Sequence, residues 1–174
     1  MRGFFEQLTA GASKPRILKN TLSTGDRGKP YQDLPKEGAF LVGFDITMGD
    51  WFGAPILHSI QPIYLGLRGK FRGEVSGTPG NHPVTLEARE GYAVSGLTLQ
   101  DGSLLGSLQL TYMKIDALHR RLDKADSYQS DVVGAPERHK GMKPKTIGND
   151  GNPITGIFGA AGGEINSIGI IEAP

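Results

Sequence analysis

Four histidines, His58, His82, His119 and His139, stand in four different segments, with no pair spaced i, i+2 or i, i+4. A metal site built on one strand or helix needs such a pair to bring two ring nitrogens to one face, so no metal centre is expected. Ser107 and Ser167 sit in apolar runs without a His or Asp in a nucleophile context. No two carboxylates have a spacing that assigns an acid and a base. The residues therefore point to binding rather than catalysis, with no cofactor. The segment that could bind is the closing one, GNPITGIFGAAGGEINSIGIIEA, Gly151 to Ala173, where glycines thread an otherwise apolar run. Glycine lets backbone N–H groups approach a ligand, and it equally supplies positive φ or bulge geometry at a corner.

The elements that must position such a site can be read from composition. The chain has 174 residues, enough for one domain with a sizeable core. Nineteen basic against eighteen acidic residues leave a net charge of +1, too weak a field to argue for nucleic acid or an anionic membrane surface. Without cysteine there is no disulfide framework and no thiolate ligand. No run reaches the roughly 18 apolar residues of a membrane span, and MRGFFEQLTAGASKPR lacks the apolar core of a secretory signal. A leader removed earlier would fit a secreted or cell-surface protein. Residues 1–35 are polar and aperiodic, which predicts a partly ordered arm, with the folded domain over 36–174. From Gly38 onward short β-branched and aromatic runs alternate with turn residues, and none has the length and period of a helix of three turns. The class expected is all-β.

An internal repeat organises these strands. YAVSGLTLQDGSLLGSLQLTY, Tyr92 to Tyr112, aligns without a gap on NPITGIFGAAGGEINSIGIIE, Asn152 to Glu172, at an offset of sixty residues. Gly96 then falls with Gly156, Gly102 with Gly162, Ser107 with Ser167 and Leu110 with Ile170. A third copy, AFLVGFDITMGDWFGAPILHSIQPIY, keeps the glycine spacing at Gly43 and Gly49, and after a five-residue insertion places Leu57, Ser59 and Ile60 on the same template. Each copy predicts a hairpin whose first strand ends near the first glycine. The intervals leave room for outer strands, such as KFRGEV with VTLEA or YMKID with YQSDVV. Three hairpins burying their apolar faces around one axis predict a prism of three antiparallel sheets with pseudo-threefold symmetry.

The last copy resembles the closing segment of the jacalin-related lectins, of the form G-x-x-I-x-G-F-x-G-R-x-G-x-x-x-D-x-I-G, and the middle copy is similar to that family's preceding hairpin. The resemblance implies the β-prism I fold and a sugar held at the last turn. There it would involve Gly159 and Gly162, backbone donors at Gly163 and Glu164, and an acceptor side chain at Asn166. Asparagine replaces the family's aspartate at 166, Ala160 or Ala161 its arginine, and Glu164 a residue that is often aromatic. A carboxylate accepts from two hydroxyls with charge-assisted bonds, whereas a carboxamide offers one acceptor and one donor group. An altered or weaker site is implied.

The positions matching Asn166 in the other copies are His58 and Gly106. Asp50, Trp51 and His58 could supply a carboxylate, a stacking face and a donor, a second candidate binding set; alternatively Trp51 and Phe52 cap the core. RHKGMKPK, Arg138 to Lys145, is the most basic stretch, but acidic residues flank it and no aromatic is interleaved, so it reads as a loop. Two functions remain: a lectin-like module recognising a glycan or glycoconjugate through a divergent site, or a structural or protein-interaction prism without sugar binding. Either leaves a homo-oligomer open.

Overall fold

The computed structural model describes residues 16–18, 28–36, 38–101, 104–119, 121–136 and 143–173. The remainder of the arm and the Arg138–Met142 part of the basic stretch lie outside the described residues. Fourteen strands are found among the described residues: β1 (Arg16–Leu18), β2 (Lys29–Asp33), β3 (Phe40–Trp51), β4 (Ala54–Gly66), β5 (Gly69–Arg72), β6 (Ser76–Gly77), β7 (Val84–Glu87), β8 (Tyr92–Asp101), β9 (Leu105–Asp116), β10 (Arg121–Gln129), β11 (Val133–Gly134), β12 (Lys145–Gly148), β13 (Ile154–Ala161) and β14 (Ile165–Glu172). They form three antiparallel sheets, each built on one repeat hairpin: β3–β4, β8–β9 and β13–β14. The class and the threefold prism are those expected.

Each hairpin is central in its sheet because its two long apolar strands leave two open edges, and each edge takes its own partner. In the first sheet β5 and β6 line β4 while β7 lines β3. KFRGEV and VTLEA therefore flank the hairpin on opposite sides instead of pairing with each other. In the second sheet β10 and β11 line β9 while β12 lines β8, with Tyr128 opposite Tyr112. The third sheet draws its outer strands from the polar arm: β1 pairs with β14 and β2 with β13. Lys29–Asp33 alternates exposed and half-buried residues, the pattern of an edge strand that needs only a partner ladder.

The core lies on the prism axis and comes from all three hairpins. Phe44, Ile46, Leu57 and Ile60 meet Leu97, Leu99, Leu105 and Leu108, and Ile157, Ile165, Ile168 and Ile170, all essentially without solvent exposure. Burial of such side chains contributes roughly 1.5–3 kcal/mol each before the entropy of ordering is counted.

The first glycine of each repeat does not end its strand. Gly43, Gly96 and Gly156 lie within β3, β8 and β13, each just after a register shift that leaves Val42, Ser95 or Thr155 unpaired. At this bulge the outer strand presses on the hairpin. A Cβ on Gly43 would overlap the Leu86 carbonyl oxygen, one on Gly96 would stand 2.9 Å from the Ile147 oxygen, and one on Gly156 2.7 Å from the Asp33 oxygen. A second bulge recurs near each tip. Its extra residues are His58 in β4, Gly106 in β9 and Asn166 in β14, which are the positions the repeat alignment equates.

The three tips emerge at one end of the prism. A Cβ on Gly77, which pairs with Ser59, would stand 3.1 Å from Ile165 Cδ1, and one on Gly148, which pairs with Gly96, 3.1 Å from Ile170 Cδ1. Corresponding heights of neighbouring hairpins therefore lie side by side.

Candidate functional site

Residues 162–164 connect β13 to β14. Gly162 N–H donates to the Glu164 carbonyl at 2.9 Å, closing the turn on itself. Gly163 is fully open, with nothing within 4 Å of where a Cβ would be, and Glu164 is half-buried. No turn or side-chain hydrogen bond among the described residues engages the N–H of either, so both remain available as donors.

Asn166 stands two residues after Glu164, as the extra residue of the bulge opposite Ala160 and Ala161. Its Oδ1 is shut off from solvent and has no hydrogen-bond partner. An acceptor in that state costs about 1–3 kcal/mol unless a donor reaches it. The backbone that encloses it comes from the arm. Gly28, at φ +98°, lies so close that an added Cβ would stand 2.8 Å from Asn166 Oδ1 and 2.7 Å from the Ala161 carbonyl carbon. A Cβ on Gly162 would stand 3.9 Å from the same oxygen. The cradle is thus Gly28, Gly162, Gly163, Glu164 and Asn166. Sequence reasoning missed Gly28 because it precedes Asn166 by more than a hundred residues. The signal available was the apolar-poor stretch from Lys29 to Asp33, an edge strand that would carry its preceding glycine to the tip.

Gly159 does not join this cradle. It lies mid-strand in β13, between Tyr31 and Ile168, and the space a Cβ would take is filled by the chain itself. Tyr31 Oη crosses it to donate to the Ser167 carbonyl at 2.9 Å, and burial raises the pKa of that hydroxyl far above its ordinary value. Ser167 Oγ in turn accepts from Ala160 N–H at 2.9 Å. The counterpart pair in the first sheet, Thr47 and Ser59, shares a hydroxyl–hydroxyl bond of 2.6 Å.

Of Asp50, Trp51 and His58, Asp50 is set apart from His58. The His58 ring lies against Gly49, 3.1 Å from where its Cβ would be. Side chains alternate along β3, so Asp50 leaves the opposite face. Its carboxylate accepts from Gly53 N–H at 2.8 Å, within the turn. Nor do Trp51 and Phe52 cap the core: they are 49% and 94% exposed.

The prism end away from the tips carries a cleft of about 490 Å³ lined by Asp116, His119, Arg121, Leu122, Asp123 and Lys124. His119 Nδ1 lies 2.6 Å from Asp116 Oδ2 and holds that carboxyl below the usual carboxylate range. Asp116 Oδ1 accepts from the N–H groups of Leu118 and His119, so the pair closes the β9–β10 turn. Among the described residues no group of three or more potential metal ligands occurs and no helix is long and apolar enough to cross a membrane.

No family model matches the chain, and no curated protein matches it by sequence. Solved structures do match by shape. Malaysian banana lectin aligns over 92% of this chain and 99% of its own with a TM-score of 0.63 at 19% identity. A mannose-binding jacalin-related lectin from Ananas comosus aligns over 91% and 98%, with a TM-score of 0.61 at 16% identity. A mannose-specific jacalin-related lectin from Morus nigra, solved with mannose, aligns over 95% and 99%, with a TM-score of 0.64 at 14% identity. The chain thus has the β-prism fold of the jacalin-related lectins.

Proposed function

We propose that this protein is a non-catalytic carbohydrate-binding module whose site is the cradle at the third hairpin tip. The observation that carries this reading is the enclosed, partnerless Oδ1 of Asn166, facing a glycine on each side with two open N–H donors beside it. A sugar supplies the complementary set: one hydroxyl donates to Asn166 Oδ1, and its neighbours accept from Gly163 and Glu164 N–H. Because the Gly28 backbone covers Asn166 Oδ1, a ligand reaches that atom only as Gly28 yields. The neutral carboxamide makes the site weaker than a carboxylate would. Mannose is the first ligand to test, since structural neighbours are described as mannose-binding. Titration with mannose and with a broad glycan array should give binding that Asn166→Ala abolishes. Complete silence at high protein concentration would overturn the reading.

A second reading, a prism serving structure or protein interaction without sugar, draws support from two observations. Gly162 N–H is already bonded within the turn, and the opening at Gly159 is filled by Tyr31. Under it, Asn166→Asp changes stability alone.

A further inference from the structure

The first hairpin is longer than the other two. Counting from the shared bulge, β8–β9 and β13–β14 end one pair later, at Asp101–Leu105 and Ala161–Ile165, whereas β3–β4 continues through Gly49–Ile56, Asp50–Pro55 and Trp51–Ala54. Three extra pairs carry its paired strands about 10 Å beyond the last pairs of the other two hairpins. The turn has two residues, Phe52 at φ +53° and Gly53 at φ +82°, both in the left-handed region. Such a turn favours Asn-Gly, and a bulky aromatic at its first position is an unfavourable choice for the backbone. Phe52 offers the fold nothing in return, being 94% exposed. Trp51 beside it is 49% exposed and edge-on to it, with ring centroids 5.3 Å apart. The residues below the rings are small or uncharged apart from Asp50, whose carboxylate is held by Gly53 N–H.

We propose that this tip is a membrane-docking prong, with Trp51 and Phe52 entering the interfacial layer of a lipid bilayer. Its shape favours lipid over a protein surface. A convex point standing clear of its neighbours could touch a flat protein face only at its end, whereas the fluid headgroup layer closes around it. Tryptophan suits that layer because its ring is apolar and its N–H remains bonded to water or headgroup. With a net charge of +1 and no basic residue on the prong, attachment depends little on headgroup charge. This inference is independent of the sugar reading.

Trp51 is the chain's single tryptophan and reports directly on its own burial. The full chain is mixed with glycan-free phosphatidylcholine vesicles, with and without one-third phosphatidylserine, and followed by sedimentation and Trp51 emission. The expected result is a blue shift with both vesicle types, quenching by brominated acyl chains, and partition coefficients within about twofold of each other. Phe52→Asn, which suits the turn, should fold at least as well while lowering partitioning about tenfold or more. An unshifted Trp51 with either vesicle type, or equal partitioning of Phe52→Asn, overturns the proposal. A concentration-dependent blue shift without lipid, and none on adding vesicles, overturns it in favour of contact between copies of the chain.

Discussion

Tyr31 Oη donates to the Ser167 carbonyl across 136 residues of sequence, tying the arm strand β2 to the bulge that presents Asn166. The bond fits only because residue 159 is glycine: a Cβ there would stand 2.7 Å from Tyr31 Oη. Tyr31→Phe should therefore cost about 1 kcal/mol, one hydrogen bond with its carbonyl left behind. Gly159→Ala should cost more, and both are read from urea unfolding midpoints.

Alkali should loosen the prism through its buried phenols. Burial is the main cause that raises the pKa values of Tyr31, Tyr64 and Tyr112 above the ordinary 10.0. A group whose folded pKa is raised contributes stability that is intact below its unfolded pKa and is lost as pH rises beyond it. Unfolding free energy should thus hold up to about pH 10 and fall above it, with tyrosinate absorbance appearing together with loss of structure. Tyrosinate forming fully in a still-folded protein would contradict the assignment.

Asn166→Asp should strengthen mannose binding about five- to tenfold, the difference between a neutral and a charge-assisted hydrogen bond. Isothermal titration of both forms measures it. A loss of stability with no gain in affinity would favour the structural reading.

The bulge glycines provide a test of the threefold architecture. Gly43→Ala, Gly96→Ala and Gly156→Ala each push a Cβ into an outer strand or its adjoining loop and should each destabilise by roughly 1–3 kcal/mol. Gly53→Ala and Gly91→Ala meet no neighbouring atom, so their cost should reflect positive φ alone.

Phe52→Asn should raise stability by about 1 kcal/mol, because asparagine tolerates the left-handed conformation that phenylalanine resists. Thermal unfolding of the two forms reads this effect without any lipid present.

The repeat was legible because each hairpin solves the same local problem with the same residues. A glycine sits where the outer strand crosses the bulge, a serine follows the second bulge, and apolar residues alternate toward the axis. That periodicity is local, so alignment of the sequence alone places His58, Gly106 and Asn166 in equivalent positions. The sequence reads strand ends near Gly43, Gly96 and Gly156 where the strands run on, because glycine marks a close approach as readily as a turn, and only the neighbouring strand distinguishes them.

By itself, then, the amino-acid order determined the class, the three hairpins and the turn that carries Asn166, all of which follow from alternation and spacing within some twenty residues. Only the tertiary structure decided who surrounds that turn. Gly28 and Tyr31 reach it from the arm, whose apolar-poor stretch can mark an edge strand but not which ladder it joins, because an edge strand is recruited by the open backbone ladder of β13 and not by an apolar pattern of its own. The same long-range packing occupied Gly159, which Tyr31 reaches from the arm.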